Sequence, residues 1–230
     1  GITHTFVASK GLYSKDIILD IFAYLKLLDN YHESKALWRI LNLPMIQIKA
    51  EDLMELTHFA YQKTMSLYEV LDQVDTLNKL EIETRRKAKK IMSLVRTHTS
   101  LAKEKGVKQV VLAFLSDFGY QDWLLKNDAI EEFSYINQLG DKIDDFQKSF
   151  SDTSVKNFID LISLEVESGE QGNLDKNFTE GPEAVKVMTV HSAKGLEFKY
   201  VFIVGLVDKR FPSIDRSDPI ELPDELIKEI

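Results

Sequence analysis

From Ile18 to about Glu167 the apolar residues of this chain recur at three- and four-residue intervals, one segment after another, and almost nowhere alternate as a half-buried strand would. That pattern restricts the bulk of the chain to packed helices. Ile18, Ile21, Phe22, Leu25 and Leu28 form the first stripe, with Ser14 as its expected N-cap and Asp16 favouring the positive helix end. Further helices are expected at about 34–41, 50–62 and 66–71. One long helix is expected over 76–105, where Leu77, Leu80, Thr84, Ala88, Ile91, Val95, His98 and Ala102 keep to one face until Gly106. Shorter helices should follow at 110–116, 120–125, 129–139, 142–150 and 154–167.

The ends read differently. Thr3 to Val7 reads as a short strand. Residues 168–182 are polar, rich in turn formers and without periodicity, which marks a connector. Beyond it, Val185 to Thr189 and Tyr200 to Val204 are β-branched or apolar runs, the second nearly continuous, as for strands buried in a mostly parallel sheet. The expected fold is therefore mainly α, a helical body flanked by short strands from a partial α/β domain.

Composition excludes several kinds of chemistry. With no cysteine there is no disulfide framework, thiolate zinc site or thiol nucleophile, and the five histidines take no metal-ligand spacing. No apolar run approaches the roughly 20 residues that cross a bilayer, so a cytoplasmic protein without membrane partners is expected. The net charge of -8 speaks against an all-round polyanion-binding surface. It conceals a split, however. Lys79 to Lys108 carry ten basic residues against three acids, whereas Asp128 to Ala184 carry fourteen acids against four lysines. A local DNA footprint on α-helical Arg85, Arg86, Lys89 and Lys90 fits the first stretch, although such a run also suits a merely solvated face.

Between the two C-terminal apolar runs lies Thr189-Val-His-Ser-Ala-Lys-Gly-Leu-Glu-Phe198. The Thr189 hydroxyl, the His191 imidazole and backbone N–H groups at the start of a short helix are suited to donate to phosphate oxygens, and Glu197 to accept from a ribose hydroxyl. The run Val187 to Phe198, continued by Val201 to Leu206 and by Arg210-Phe-Pro212, resembles motif V of superfamily 1 helicases of the UvrD, PcrA, Rep and RecB/AddA kind. Residues 16–30 and 36–44 are similar to the entry into the accessory subdomain inserted in the second motor domain of that family. Two departures stand out: Asn30-Tyr31 where the family commonly has Asn-Pro, and no basic residue followed by Gly-Ile near Met45 to Ile48.

The resemblance implies a division into 1–14, the edge of the second RecA-like domain; 15–168, a helical accessory subdomain; 169–184, a connector; and 185–230, the rest of that RecA-like domain with motif V. It also implies that Thr189 and His191 contact the DNA backbone, that Lys194 and Gly195 shape the turn, and that Glu197 approaches the nucleotide ribose. Single-stranded and duplex DNA, the remaining RecA-like domains, and repair or recombination proteins are the implied partners. ATP and magnesium are the cofactors of the parent enzyme. None is expected on this stretch alone, because a phosphate-binding loop needs Gly-x-x-x-x-Gly-Lys-Ser/Thr and the sequence has no Gly-Lys pair. Asp208, the one lookalike for a magnesium-holding acid, reads as a turn residue. Both ends are expected to be boundaries inside a longer helicase chain, with the arginine-bearing final motif downstream. Two other readings stay open: a helical protein-interaction module without nucleic-acid binding, and part of a RecB/AddA-type helicase-nuclease.

Overall fold

The computed structural model describes residues 4–6, 11–172, 174, 185–187, 193–195 and 197–206. It divides into two compact units, Gly1–Val187 and Met188–Ile230. The first unit carries helices α1 (Asp16–Asp29), α2 (Ser34–Leu41), α3 (Ala50–Lys63), α4 (Leu67–Asp72), α5 (Ile82–Lys105), α6 (Val107–Asp117), α7 (Tyr120–Lys126), α8 (Ile130–Ser149) and α9 (Val155–Glu167). The protein is mainly α, as the periodicity implies.

Helix α1 is apolar almost all round, and a helix of that kind belongs inside a bundle. Ile18, Ile21, Tyr24, Leu25 and Leu27 are completely enclosed, and α2, α5, α6, α8 and α9 all pack against it. Local chemistry sets several helix ends. At α4, Ser66 Oγ accepts from the Glu69 backbone N–H while the Glu69 carboxylate accepts from the Ser66 N–H at 2.7 Å, a reciprocal cap. Donation to that carboxylate from the Ser66 N–H, and from the Ser66 hydroxyl at 2.8 Å, lowers the Glu69 carboxyl from its ordinary value. Ser154 caps α9 by accepting from Asn157 N–H at 3.2 Å. Gly106, with φ +77°, separates α5 from α6 in a backbone conformation that side chains other than glycine's disfavour.

Four expectations need correction. Ser14 does not cap α1: it ends a 3-10 turn, Leu12–Ser14, and its hydroxyl donates to the Gly11 carbonyl, so Lys15 takes the cap position. The long helix is not continuous from Thr76. Val74–Thr76 form a separate 3-10 turn and α5 starts at Ile82, with Leu77 and Leu80 buried from the turns between. Their spacing imitates a helical stripe because both side chains reach the same core. Conversely, the break expected between 139 and 142 is absent, because α8 runs through Gly140, and one helical glycine costs only about 1 kcal/mol. Tyr200 to Val204, expected as a buried strand, pair with no strand among the described residues and are exposed, Phe202 at 87%. An apolar run becomes a buried strand only where neighbours flank and cover it.

Strands β1 (His4–Phe6) and β2 (Val185–Val187) lie side by side and parallel, His4 opposite Val185 and Phe6 opposite Val187. Parallel neighbours need a long crossover. Here the whole helical body lies within it. The body is also clasped where it starts and ends: Leu12 N–H donates to Gly172 O at 3.3 Å, Tyr13 N–H to Gln171 O at 3.0 Å, and Gly11 N–H to the Gln171 side chain at 3.2 Å. The Tyr13 hydroxyl donates to Glu165 of α9, whose carboxylate also takes Lys142 at 2.5 Å.

Gly11 makes the clasp possible, since a Cβ there would stand 2.0 Å from the Gln171 carbonyl oxygen. A backbone oxygen cannot swing aside as a side-chain tip does. Gly11→Ala is therefore expected to destabilise the protein by about 1–3 kcal/mol and to speed amide exchange at Tyr13 before it does so in α1. Unchanged exchange at Tyr13 in the variant would refute this account of the clasp.

Candidate nucleic-acid interface

Basic helix α5 is held by its polar residues as well as its apolar stripe. His98 is 1% exposed and lies between Tyr24 of α1 and Asp117 at the end of α6, with Nδ1 2.6 Å from the Tyr24 hydroxyl and Nε2 3.0 Å from Asp117 Oδ2. A carboxylate can only accept, so Nε2 donates to it and Nδ1 is left to accept the tyrosine's proton. Further toward the N-terminus, the Thr84 hydroxyl donates to buried Asp52 of α3. The helix is thus fixed against α1, α3 and α6, and its rotation decides which cations face outward.

Outward-facing cations are mostly not free. Arg86 holds Glu83 in a fork, Nε to Oε2 at 2.9 Å and Nη2 to Oε1 at 2.7 Å. The fork lowers the Glu83 carboxyl and raises the arginine. Lys89 pairs with Asp75 at 2.7 Å, Lys79 with Glu55 at 3.2 Å, Lys108 with Asp144 at 2.5 Å, and Arg96 with Asp72. Arg85 is half-buried, and its Nε is enclosed without a hydrogen-bond partner. Lys90 is exposed and has no ion pair among the described residues. Lys87, which no sequence pattern singles out, donates to the Gln47 carbonyl at 2.7 Å. Of the four helix residues named from sequence, two already have an acidic partner, and Lys90 is the one poised for an external anion.

In the second unit, Lys194 and Gly195 form a turn with Gly195 at φ +81°, and Lys194, Gly195 and Glu197 are exposed. Thr189 and His191 lie outside the described residues, as do Asp208, Arg210 and Pro212. No group of three His, Cys, Asp or Glu among the described residues is placed to hold a metal ion, and no described helix is long and apolar enough to cross a membrane.

The ATP-dependent DNA helicase PcrA of Staphylococcus epidermidis is 27% identical over 216 residues, covering 93% of this chain and 29% of the relative. The protein of the same name from Staphylococcus aureus is 26% identical over 214 residues, covering 92% of this chain and 28% of the relative. The chain thus spans less than a third of the length of these curated relatives. Its residues 1–229 match the family model described as the UvrD-like helicase C-terminal domain, and the chain belongs to that family.

Proposed function

We propose that this chain is the part of an ATP-driven DNA helicase in which a helical accessory subdomain, inserted between neighbouring strands of the second RecA-like domain, touches DNA and regulates unwinding. The observation that carries the reading is the parallel pairing of β1 with β2 across the helical body, with the motif V sequence starting at Val187, the last residue of β2. In an open parallel sheet, ligands gather beyond the carboxyl ends of strands, and Thr189 to Glu197 follow such an end directly. In this reading Thr189 and His191 donate to the backbone of single-stranded DNA. Lys194 and the left-handed Gly195 turn the chain so that Glu197 accepts from the ribose of ATP.

The phosphate-binding loop and the magnesium ligands come from outside this sequence, which has no Gly-Lys pair to build such a loop. ATP supplies the energy of translocation once bound there. The residues on this chain position DNA and the sugar of the nucleotide; they do not cleave the phosphoanhydride. On the helical body, Lys90 and Arg85 are the cations best placed to meet duplex phosphates, with Arg86 and Lys89 contributing after exchange of their carboxylate partners.

Two measurements test the proposal. The 230-residue chain alone is expected to show no DNA-stimulated ATP hydrolysis; turnover that disappears in Lys194→Ala would contradict it. In the full-length helicase, Arg85→Ala with Lys90→Ala should lower the slope of log K against log salt for duplex DNA by roughly 0.9 for each phosphate that is no longer neutralised. An unchanged slope would remove the basic helix from the interface.

A further inference from the structure

One pocket on the helical body is not accounted for by the motor reading. It has a volume of about 190 Å³ and lies where one face of α5, the end of α6 and the turn after α2 meet. Its apolar wall comes from Met45 and Ile46 of the turn, Ile91 and Leu94 of α5, and Phe118. Met45, Ile46 and Leu94 are only half-buried, so apolar surface there stays wet. Arg86 and Lys87, each about one helical turn before Lys90 on α5, add a cationic edge with it. The sole carboxylate among the described lining residues, Asp117, is engaged by His98 Nε2 at 3.0 Å and by the Ser116 hydroxyl at 3.2 Å.

The turn that supplies Met45 and Ile46 is held in place. Gln47 adopts φ +53°, a conformation that a residue with a side chain rarely takes, and its carbonyl is pinned by Lys87 at 2.7 Å. The wall therefore exists before any ligand arrives. Its size narrows the choice of occupant, because small-molecule sites usually begin at roughly 300 Å³. A volume below that limit suits one large side chain. A bare phosphate backbone would use the cations but gain nothing from five apolar residues.

We infer that this pocket is a docking site for an acidic peptide segment of a partner protein, which inserts one large apolar side chain between the α2–α3 turn and α5 while its carboxylates meet Lys90 and Lys87. Charge complementarity selects the acidic flanks: Arg86 and Lys87 share the single carboxylate of Glu83, at 2.7 and 4.0 Å, Lys90 has no ion pair among the described residues, and Asp117 is already engaged by His98. Lys90, without an ion pair among the described residues, is the principal electrostatic contact. The inference does not rest on the motif V reading. Because it shares Lys90 with the proposed duplex contact, peptide and duplex DNA exclude one another at this face.

The test is fluorescence anisotropy on the whole 230-residue chain, with a labelled peptide of aspartates and glutamates around one central phenylalanine as probe. Binding is expected to weaken at least about tenfold when that phenylalanine is replaced by serine. Met45→Gln and Leu94→Gln, which leave the charge unchanged, should weaken it several-fold in a chain that circular dichroism shows to be still folded, and Lys90→Gln should weaken it and flatten its salt dependence. Equal affinity for the phenylalanine and serine peptides would reduce the site to surface charge and overturn the inference. So would failure of both peptides to bind, or indifference to Met45→Gln and Leu94→Gln. Duplex DNA whose binding falls in those same two variants would make DNA the occupant instead. The duplex proposal is read separately, from the salt slope of DNA binding in Arg85 and Lys90 variants, so either idea can fail alone.

Discussion

Phe114→Ala is expected to destabilise the helical body by about 3–5 kcal/mol, the range for removing a large aromatic from a closed core. For a chain of this size that lowers the melting temperature by roughly 6–20 °C. Phe114 is fully enclosed. Its ring stacks on Tyr24 with centroids 4.4 Å apart, and it meets Phe118 at 5.0 Å and Tyr120 at 5.9 Å. Truncation leaves a cavity lined by aromatic rings on α1, at the end of α6 and on α7, none of which can close it without moving its own helix. Tyr24 also positions His98, so the loss extends to the seating of basic α5 on α1. Leu112→Ala on the same helix is the internal comparison: Leu112 is 51% exposed, and its truncation should stay within about 0.5 kcal/mol. Urea unfolding of both variants checks the contrast, and a loss below about 1 kcal/mol at Phe114 would mean that the core is not centred there.

How well the sequence announces each element depends on whether its cause is local. Ser34–Leu41 is legible to the residue, because its apolar positions and flanking turn formers lie in one short window. The ends of α4 and α9 are nearly as plain, since Ser66 with Glu69 and Ser154 with Asn157 are bonds between residues three apart. The start of α5 is not legible. Leu77 and Leu80 satisfy a helical period while packing from turns, and only the tertiary core distinguishes the two. Tyr200 to Val204 fail as a strand for the same reason in reverse. Their composition suits a sheet, but pairing is a long-range property that composition does not contain.

The candidate site divides in the same manner. A tally of Lys79 to Lys108 counts charges that are neighbours in sequence, whereas the acids that engage Lys89, Arg96 and Lys108 are Asp75, Asp72 and Asp144, outside the helix. A surface that looks strongly basic is in fact a lattice of exposed ion pairs, each worth little. What remains is a narrower basic feature around Lys90. Lys87 is invisible in the sequence because its partner is a backbone carbonyl, that of Gln47, forty residues earlier, for which no sequence pattern exists. Motif V is the opposite case in that its residues are consecutive in sequence, with Thr189 and His191 outside the described residues.

Raising the pH is expected to unfold the helical body cooperatively from about pH 10 upward, with buried tyrosines ionising only as the structure is lost. Burial is the main cause that pushes the hydroxyls of Tyr24, Tyr120 and Tyr13 well above their ordinary value of 10.0. Nearby carboxylates add to it. Tyr120 donates to Asp20 at 2.5 Å, Tyr13 donates to Glu165, and the charge of Asp117 acts on Tyr24. Asp20 in turn accepts from Arg39 of α2 at 2.5 Å, so the Tyr120 proton belongs to a bridge between α1, α2 and α7. The folded state therefore holds these protons more tightly than the unfolded chain does. Stability is intact below the unfolded tyrosine value and is lost as pH rises past it toward the raised folded values. Tyrosinate absorbance followed together with circular dichroism should show an early phase without loss of helix and a later one that coincides with it. Tyr120→Phe should shift that later phase to higher pH relative to its own stability at neutral pH. A single tyrosinate phase near pH 10 with the helices intact would show that these hydroxyls are not held protonated by the fold.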